Sequence, residues 1–360
     1  MSTRCDCEYL CPRSSGQSVL IYGTSGHVTR KLSLIAGVGG LARSGPGWQL
    51  HGGETELVSG LAALSDALKP AERVQVQVAA FQGDEPVFWQ SSSLPLHLTR
   101  LRTAWFPAAL GKLHFVFQPV FDLKQGTVFG HEALVRAQLD DQHFTATDLL
   151  SAAPAHGGLH VLDRQARVTA IEQGAARSGG GHLLINFMPG VVYDPDVCLS
   201  TTFAACERFG VDPKRLIFEA VESDHFPDMD VLGAVLSRYR REGMQVALDD
   251  LGAGRSSLLH LETLRPDFVK LDRSLMLNLS EDDPRIRLVG SLIEYAHRLG
   301  VRVVVEGLET EFELEVAVSL GADLGQGYGL GRPVRERDFA GEDETNQRVR
   351  ALSGVAELLT

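Results

Sequence analysis

Two acids stand side by side in VALDDLGAGRSSL, residues 246–258, at the end of an apolar run and just ahead of a Gly-x-Gly. Adjacent carboxylates repel, and leaving water makes the repulsion worse. The pair is either a solvated turn or the partner of a positive charge. Other polar residues embedded in apolar runs follow a pattern. Glu132, Asn186, Glu219, Asp249, Asp250, Lys270, Asp272, Glu306 and Gln326 each fall near the C-terminal end of a strand-like stretch, or share one. The carboxylates of Glu132, Glu219, Asp249, Asp250 and Glu306, with Asn186, form a hard-oxygen set of the sort that holds Mg²⁺ or Mn²⁺. No cluster of Cys or His lies among them, which speaks against zinc. Asp249 can bridge two cations while Asp250 completes the second, as in phosphoester hydrolysis with metals about 3.5–4 Å apart. Gly252 and Gly254 allow a tight loop behind the pair.

Singly, each residue is weak. A strand-end Glu is more often a solvated loop residue or half of an ion pair. A lysine such as Lys270 is more often a structural partner for an acid, and an isolated Asn usually serves a turn. Their succession along one chain is what points to chemistry.

The elements that must position them alternate. Strand-like runs fall at FVFQPVF (115–121), TVFGHEALVR (127–136), HLLINF (182–187), RLIFEAVE (215–222), MQVALDD (244–250), DFVKLD (267–272), VRVVVEGLE (301–309) and DLGQGYGL (323–330). Amphipathic stretches at 163–178, 229–243, 284–300 and 310–321 separate them. In the third, Ile286, Val289, Ile293 and Ala296 keep helical spacing and Gly300 stands where a C-terminal cap belongs. Repeated β-α units with continuous apolar strands predict a mostly parallel sheet covered by helices. Eight strands in about 230 residues favour a closed β/α barrel, whose strand ends converge on one mouth.

Residues 1–104 read as a small α+β module, with a helix over 54–68 and strands over 74–81 and 86–92. Residues 92–105 read as a connector, 105–340 as the barrel, and 344–359 as a C-terminal amphipathic helix within a final segment, 341–360. Of 360 residues, 44% are apolar and 22% charged, enough for a sizeable core. The net charge of −12 excludes a nonspecific binder of nucleic-acid polymer. The longest apolar candidate, SLIAGVGGLA (33–42), is too short for a bilayer, and the N-terminus lacks a signal-peptide core. No membrane association and a cytoplasmic location are expected. Five cysteines fit a reducing compartment. Cys5, Cys7 and Cys11 form a C-x-C-x₃-C cluster that is either a tail with ordinary thiols or a zinc, iron–sulfur or redox site, for which His27 or His51 could complete the ligands. Cys198 and Cys206 read as packing residues in a helical region.

At this level of detail residues 112–334 resemble the EAL domain, the bacterial phosphodiesterase module that cleaves cyclic di-GMP. The signature tripeptide stands as Glu132-Ala133-Leu134 within GHEALVR, and QPVFDL, INFMP, FEAVES, DDLGAGRSSL, DFVKLD, VEGLET and GQGYGLGRP follow in the family's order. The resemblance implies a modified TIM-type (β/α) barrel whose first strand runs antiparallel to the others. It implies that Glu132, Asn186, Glu219 and Asp249 hold one Mg²⁺ or Mn²⁺ ion, and that Asp249, Asp250 and Glu306 hold a second. Lys270 and Gln326, with Glu132, match the catalytic positions. Gln118, Leu134, Arg136 and Asp272 fall in the substrate-binding set, and Glu222 matches the residue that steadies the loop after the Asp pair. Hydrolysis of cyclic di-GMP to linear pGpG, a homodimer and control by the N-terminal module are the corresponding expectations. A lysine among carboxylates should stay protonated, so Lys270 is expected to act electrostatically and not as a base.

Some positions depart from the family. Leu251, Ala253 and Arg255 replace the usual Phe, Thr and Tyr of the loop, Ala137 replaces an aromatic, and Phe187-Met188-Pro189 follows the metal-site Asn. None removes a charge the chemistry needs. The alternative is a catalytically silent EAL domain that binds cyclic di-GMP or another protein; such a domain is expected to lack ligands that are all present here.

Overall fold

The computed structural model describes residues 18–36, 41–175, 181–220, 229–252, 258–335 and 349–350. Among these, contacts divide the chain into two compact units. One runs to Gly111 and takes in Thr147–Leu159; the other holds Lys112–Ala146 and the residues from His160 onward.

The first unit is α+β. It contains β1 (Ser18–Gly23), α1 (Gly26–Ile35), β2 (Ala42–Ser44), β3 (Gly47–His51), α2 (Glu54–Asp66), α3 (Pro70–Arg73) and β4 (Val76–Gln82). The strands lie in the order β2-β3-β1-β4, each antiparallel to its neighbour, which is a split β-α-β arrangement. Val19 and Ile21 of β1 and Val76 and Val78 of β4, alternate residues on one face, join Leu32, Trp48, Leu57 and Leu61 in an apolar core. Residues 86–92, expected as one strand, are broken up. β5 (Glu85–Pro86) and β6 (Ser92–Ser93) each pair with β4 over two residues, with a 3-10 turn, Phe88–Gln90, between them. Pro86 has no N–H with which to extend a ladder. The connector expected over 92–105 is instead mostly helix, α4 (Leu94–Arg102), with Pro95 in its first turn and α2 beside it. After α5 (Phe106–Leu110) this unit resumes in α6 (Ala146–Ala152) and the turn Ala153–His156. Arg100 Nε donates to Ala155 O at 2.8 Å, and the His156 ring stacks on Phe106.

The second unit is a closed barrel. Its strands are β7 (Leu113–Asp122), β8 (Thr127–Leu139), β10 (His182–Phe187), β11 (Leu216–Ala220), β12 (Gln245–Leu251), β13 (Phe268–Leu271), β14 (Arg302–Val305) and β15 (Leu324–Gly325), while β9 (Gln142–Phe144) pairs with β8 outside the ring. The order is β10-β11-β12-β13-β14-β15-β7-β8, and β8 returns to β10. β7 alone is antiparallel to both neighbours, as the resemblance implies. All eight expected strands are present; β7 and β8 run longer than expected, and β13, β14 and β15 shorter. Outward residues such as Ile185, Phe218, Val246 and Val269 pack in one cluster with Leu232, Val235, Val289 and Ile293. Those last residues come from α10 (Met229–Arg241) and α12 (Pro284–Arg298); α7 (Leu159–Ala175), α8 (Pro195–Cys198), α9 (Ser200–Phe209), α11 (Leu258–Leu264) and α13 (Glu311–Ser319) complete the helices. In α12 the Asp283 carboxylate caps the start by accepting Arg285 N–H at 2.9 Å, Val289, Ile293 and Ala296 are buried, and Gly300 follows the last turn at φ 76°. The C-terminal helix expected over 344–359 lies outside the described residues except for Val349 and Arg350. No helix among the described residues is long and apolar enough to cross a membrane.

Candidate active site

Strand alternation stacks two layers inside the barrel. Val120, Leu184, Ile217, Ala247, Phe268, Val304 and Leu324 form an apolar plug. Two residues beyond six of them, and so on the same side, stand Asn186, Glu219, Asp249, Lys270, Glu306 and Gln326. On the reversed β7, Gln118 precedes Val120 by two and pairs across with Glu132 of β8. The plug is an apolar layer beneath these polar side chains, of which Glu219, Lys270 and Gln326 are buried.

Lys270 is the hub of this layer and is almost fully buried. Its Nζ lies 2.7 Å from Glu306 Oε1, 3.3 Å from Asp249 Oδ1, 3.4 Å from Glu219 Oε1 and 3.6 Å from Glu132 Oε2. Glu132 also accepts from Asn186 Nδ2 at 2.7 Å and Gln326 Nε2 at 2.8 Å. Burial works against charge on each group. For Lys270 it is outweighed by Asp249, Glu132, Glu219 and Glu306, which hold the ammonium well above the usual lysine range. Burial pushes Glu132 up, yet Lys270 and the two amides bring it below the usual carboxylate range. Glu219 goes the other way: burial prevails over Lys270, repulsion from the other acids adds to it, and the carboxyl rises well above that range. Glu306 is raised, mainly by burial, to about 7. Lys270 reaches four of the five acids gathered here, and an acid-rich mouth of this kind draws cations.

The paired acids are explained by a bulge. Between Leu248 and Leu251 the pairing of β12 with β13 slips by one residue, and Asp250 adopts φ 58°. Neighbours in a regular strand point to opposite faces. Here the extra residue lets one oxygen each from Asp249, Asp250 and Glu306 lie within 4.8 Å of one another. Asp is among the few residues besides Gly that enter the left-handed region at modest cost. Glu219 Oε1 and Gln326 Oε1 are buried without a hydrogen-bond partner; the former is near Lys270 Nζ but off the alignment a hydrogen bond needs. Buried lone pairs in an all-oxygen donor set fit hard divalent cations such as Mg²⁺ or Mn²⁺.

The remaining expected residues fall around this centre. Gln118 Nε2 donates to Gly331 O at 3.1 Å. Leu134 and Arg136 stand two and four residues beyond Glu132 on the same face, both half-buried, and Arg136 Nη1 donates to Val135 O at 2.8 Å. Asp272, two residues past Lys270, accepts Ser274 N–H at 2.9 Å and caps the turn Arg273–Leu275. Glu222, Cys5, Cys7, Cys11, Ala253 and Arg255 lie outside the described residues. Of the two histidines considered beside the cysteines, His27 meets Glu72 at 3.2 Å and His51 meets Ser18. Cys198 and Cys206 are buried packing residues, and burial pushes the Cys206 thiol up to about 11.

Two supports escaped the sequence reading. Glu313, buried at the start of α13, accepts N–H groups of Glu309 at 2.8 Å, Thr310 at 2.9 Å and Asn278 at 3.0 Å. It thereby ties the loop after Lys270 to the loop after Glu306, and the Thr-x-x-Glu of its capping box was visible at residues 310–313. Gly327, next to Gln326, has no such local signal: a Cβ there would lie 2.2 Å from Leu308 O, where the two mouth loops touch backbone to backbone.

A closed β/α barrel with one reversed strand and an acid-rich, lysine-centred mouth is the architecture that these residues build. The EAL domain family model matches residues 100–333, well over half the chain, and the chain belongs to that family. It is 29% identical over 273 residues to a cyclic di-GMP phosphodiesterase of Pseudomonas aeruginosa, covering 73% of this chain and 46% of that protein. To an uncharacterized protein of Azorhizobium caulinodans it is 33% identical over 228 residues, covering 61% of this chain and 31% of the other. The chain thus spans less than half the length of either relative. The crystal structure of a standalone EAL protein from Vibrio cholerae in its c-di-GMP-bound form is similar, with a TM-score of 0.55, 28% identity and coverage of 62% of this chain and 92% of that one.

Proposed function

We propose that this chain hydrolyses cyclic di-GMP to linear pGpG using two divalent cations, Mg²⁺ or Mn²⁺. The observation that carries the reading is the complete oxygen set around Lys270, with Asp249 and Asp250 brought by the bulge onto the same mouth as Glu306. Relatives named as cyclic di-GMP phosphodiesterases, and a relative solved with that nucleotide bound, supply the substrate class. Glu132, Asn186, Glu219 and Asp249 would hold one ion, and Asp249, Asp250 and Glu306 the other. When bound, the pair would neutralise the scissile phosphate and acidify a water.

The chain's own residues do the rest. Lys270, an ammonium among its carboxylates, stabilises the negative charge that develops on the phosphoryl oxygens, a role that asks no proton transfer of it. Gln326 is anchored to Glu132 through its NH₂, which leaves its buried oxygen to accept a hydrogen from water. Arg136 offers a fixed fork for a phosphate, and Gln118, Leu134 and Asp272 border the nucleotide. Water oxygen joins phosphorus, the 3′ oxygen leaves as the alcohol, and the ring opens. The N-terminal unit regulates, the EAL domain pairs as a homodimer, and the activity is cytoplasmic in this reading. Incubation with cyclic di-GMP and Mn²⁺, with products separated by chromatography, tests it. The parent should form pGpG and Glu132→Ala should lose at least about 100-fold in rate. Binding without turnover would instead make the chain a silent receptor.

A further inference from the structure

One buried charge pair outside the mouth has no part in the chemistry above. Asp163 and Arg167, one turn apart on α7, are 4% and 2% exposed. Arg167 Nε donates to Asp163 Oδ2 at 3.0 Å, its Nη2 lies 2.8 Å from the same oxygen, and its Nη1 donates to the Thr202 hydroxyl of α9. The second Asp163 oxygen, Oδ1, accepts the Met188 N–H at 2.8 Å. Met188 is the first residue past β10, two beyond Asn186, where the chain leaves the sheet for the turn Pro189–Val191. On β10 itself Phe187 seats its ring edge-on against Tyr239 at 5.3 Å, and Tyr239 stacks on Phe218 at 4.1 Å. The strand carrying Asn186 is thus gripped beyond its last ladder pair.

Resting on the metal reading above, we infer that Asp163, held by Arg167, is a positioning residue for Asn186. A buried ion pair is a poor source of stability, because removing two charges from water costs about what their attraction returns. What this pair supplies is direction. Arg167 fixes the carboxylate on one side, so the other oxygen presents a rigid acceptor to Met188, and the end of β10 cannot relax outward. Asn186 then keeps its amide 2.7 Å from Glu132 with its oxygen free for a cation. Residues that orient metal ligands in this way change metal affinity or activity by about 10–100-fold when lost.

Two variants separate positioning from plain stability. Asp163→Leu combined with Arg167→Met replaces the pair by apolar side chains and removes the acceptor. Asp163→Asn keeps an oxygen for Met188 and leaves Arg167 without its counter-charge. Mn²⁺ binding followed by electron paramagnetic resonance, thermal melting, and KM against kcat should be read for both. The paired variant should keep the parent's melting temperature within a few degrees, weaken Mn²⁺ by about tenfold or more, and regain kcat in excess Mn²⁺. Asp163→Asn should melt lower and yet bind Mn²⁺ within about threefold of the parent. A folded paired variant with the parent's Mn²⁺ affinity, or losses of affinity that track melting temperature in both variants, would overturn the inference alone. A parent protein that binds no Mn²⁺ would overturn the metal reading and this inference together.

Discussion

Asp249 and Asp250 are neighbours in sequence that face the same way in space. A one-residue slip in the β12–β13 ladder and a left-handed φ of 58° at Asp250 put both carboxylates within reach of Glu306. A regular strand would have pointed one of them into the outer apolar layer. The arrangement concentrates negative charge at the mouth, and the metal-free protein bears that repulsion.

Asp250→Asn therefore should separate stability from function. The amide still tolerates the left-handed backbone and removes one repelling charge. In chelator the variant should stay within about 1 kcal/mol of the parent's stability. Mn²⁺ should raise the parent's melting temperature clearly and the variant's much less. Equal stabilisation of both by Mn²⁺, read by calorimetry, would remove Asp250 from the ligand set.

Lys270 gives the opposite signature. Its side chain is 1% exposed and is the counter-charge within reach of Glu132, Glu219, Asp249 and Glu306. Lys270→Met should destabilise the metal-free protein by about 3–5 kcal/mol, the usual cost of leaving buried charge uncompensated. Divalent cations should return part of that loss while turnover stays abolished. Urea unfolding in chelator and in Mn²⁺ measures both, and an unchanged midpoint in chelator would contradict the hub role.

The N-terminal unit should be acid-sensitive through His97. The side chain is 2% exposed, and burial, with some help from Arg100, lowers its pKa to about 4. The unfolded chain protonates near 6.5, so stability is whole above that pH and falls as pH drops from about 6.5 to about 4, below which both states are charged. The full loss is about 3 kcal/mol. His97→Gln should flatten the change in urea midpoint between pH 7 and pH 4.5, and a slope equal to the parent's would show that another group is responsible.

Much of the barrel is legible because six of its strands repeat one step, an apolar residue followed two later by a polar one. Ile217 and Glu219, Phe268 and Lys270, and Val304 and Glu306 are that step, and a period of two is a local property. What was not legible depends on partners distant in sequence. The bulge at Asp250 is a register between β12 and β13, and the closing of β8 onto β10 is a pairing over some fifty residues. Asp163 reads as an ordinary helical acid until Met188 is placed beside it. In the N-terminal unit neither SVLIYG nor GWQLH, each a short run, shows its sheet until the two are paired as β1 and β3. The strand expected over 86–92 is interrupted for a local reason, since Pro86 brings no N–H to a ladder and a 3-10 turn follows.

Turnover of cyclic di-GMP with divalent cations is the work proposed for this mouth. Its most direct measurement is the product formed from cyclic di-GMP in Mn²⁺, with chelator and Glu132→Ala as controls. Formation of pGpG by the parent, abolished by either control, is the predicted result. Intact nucleotide after prolonged incubation with metal-loaded, folded parent would contradict it.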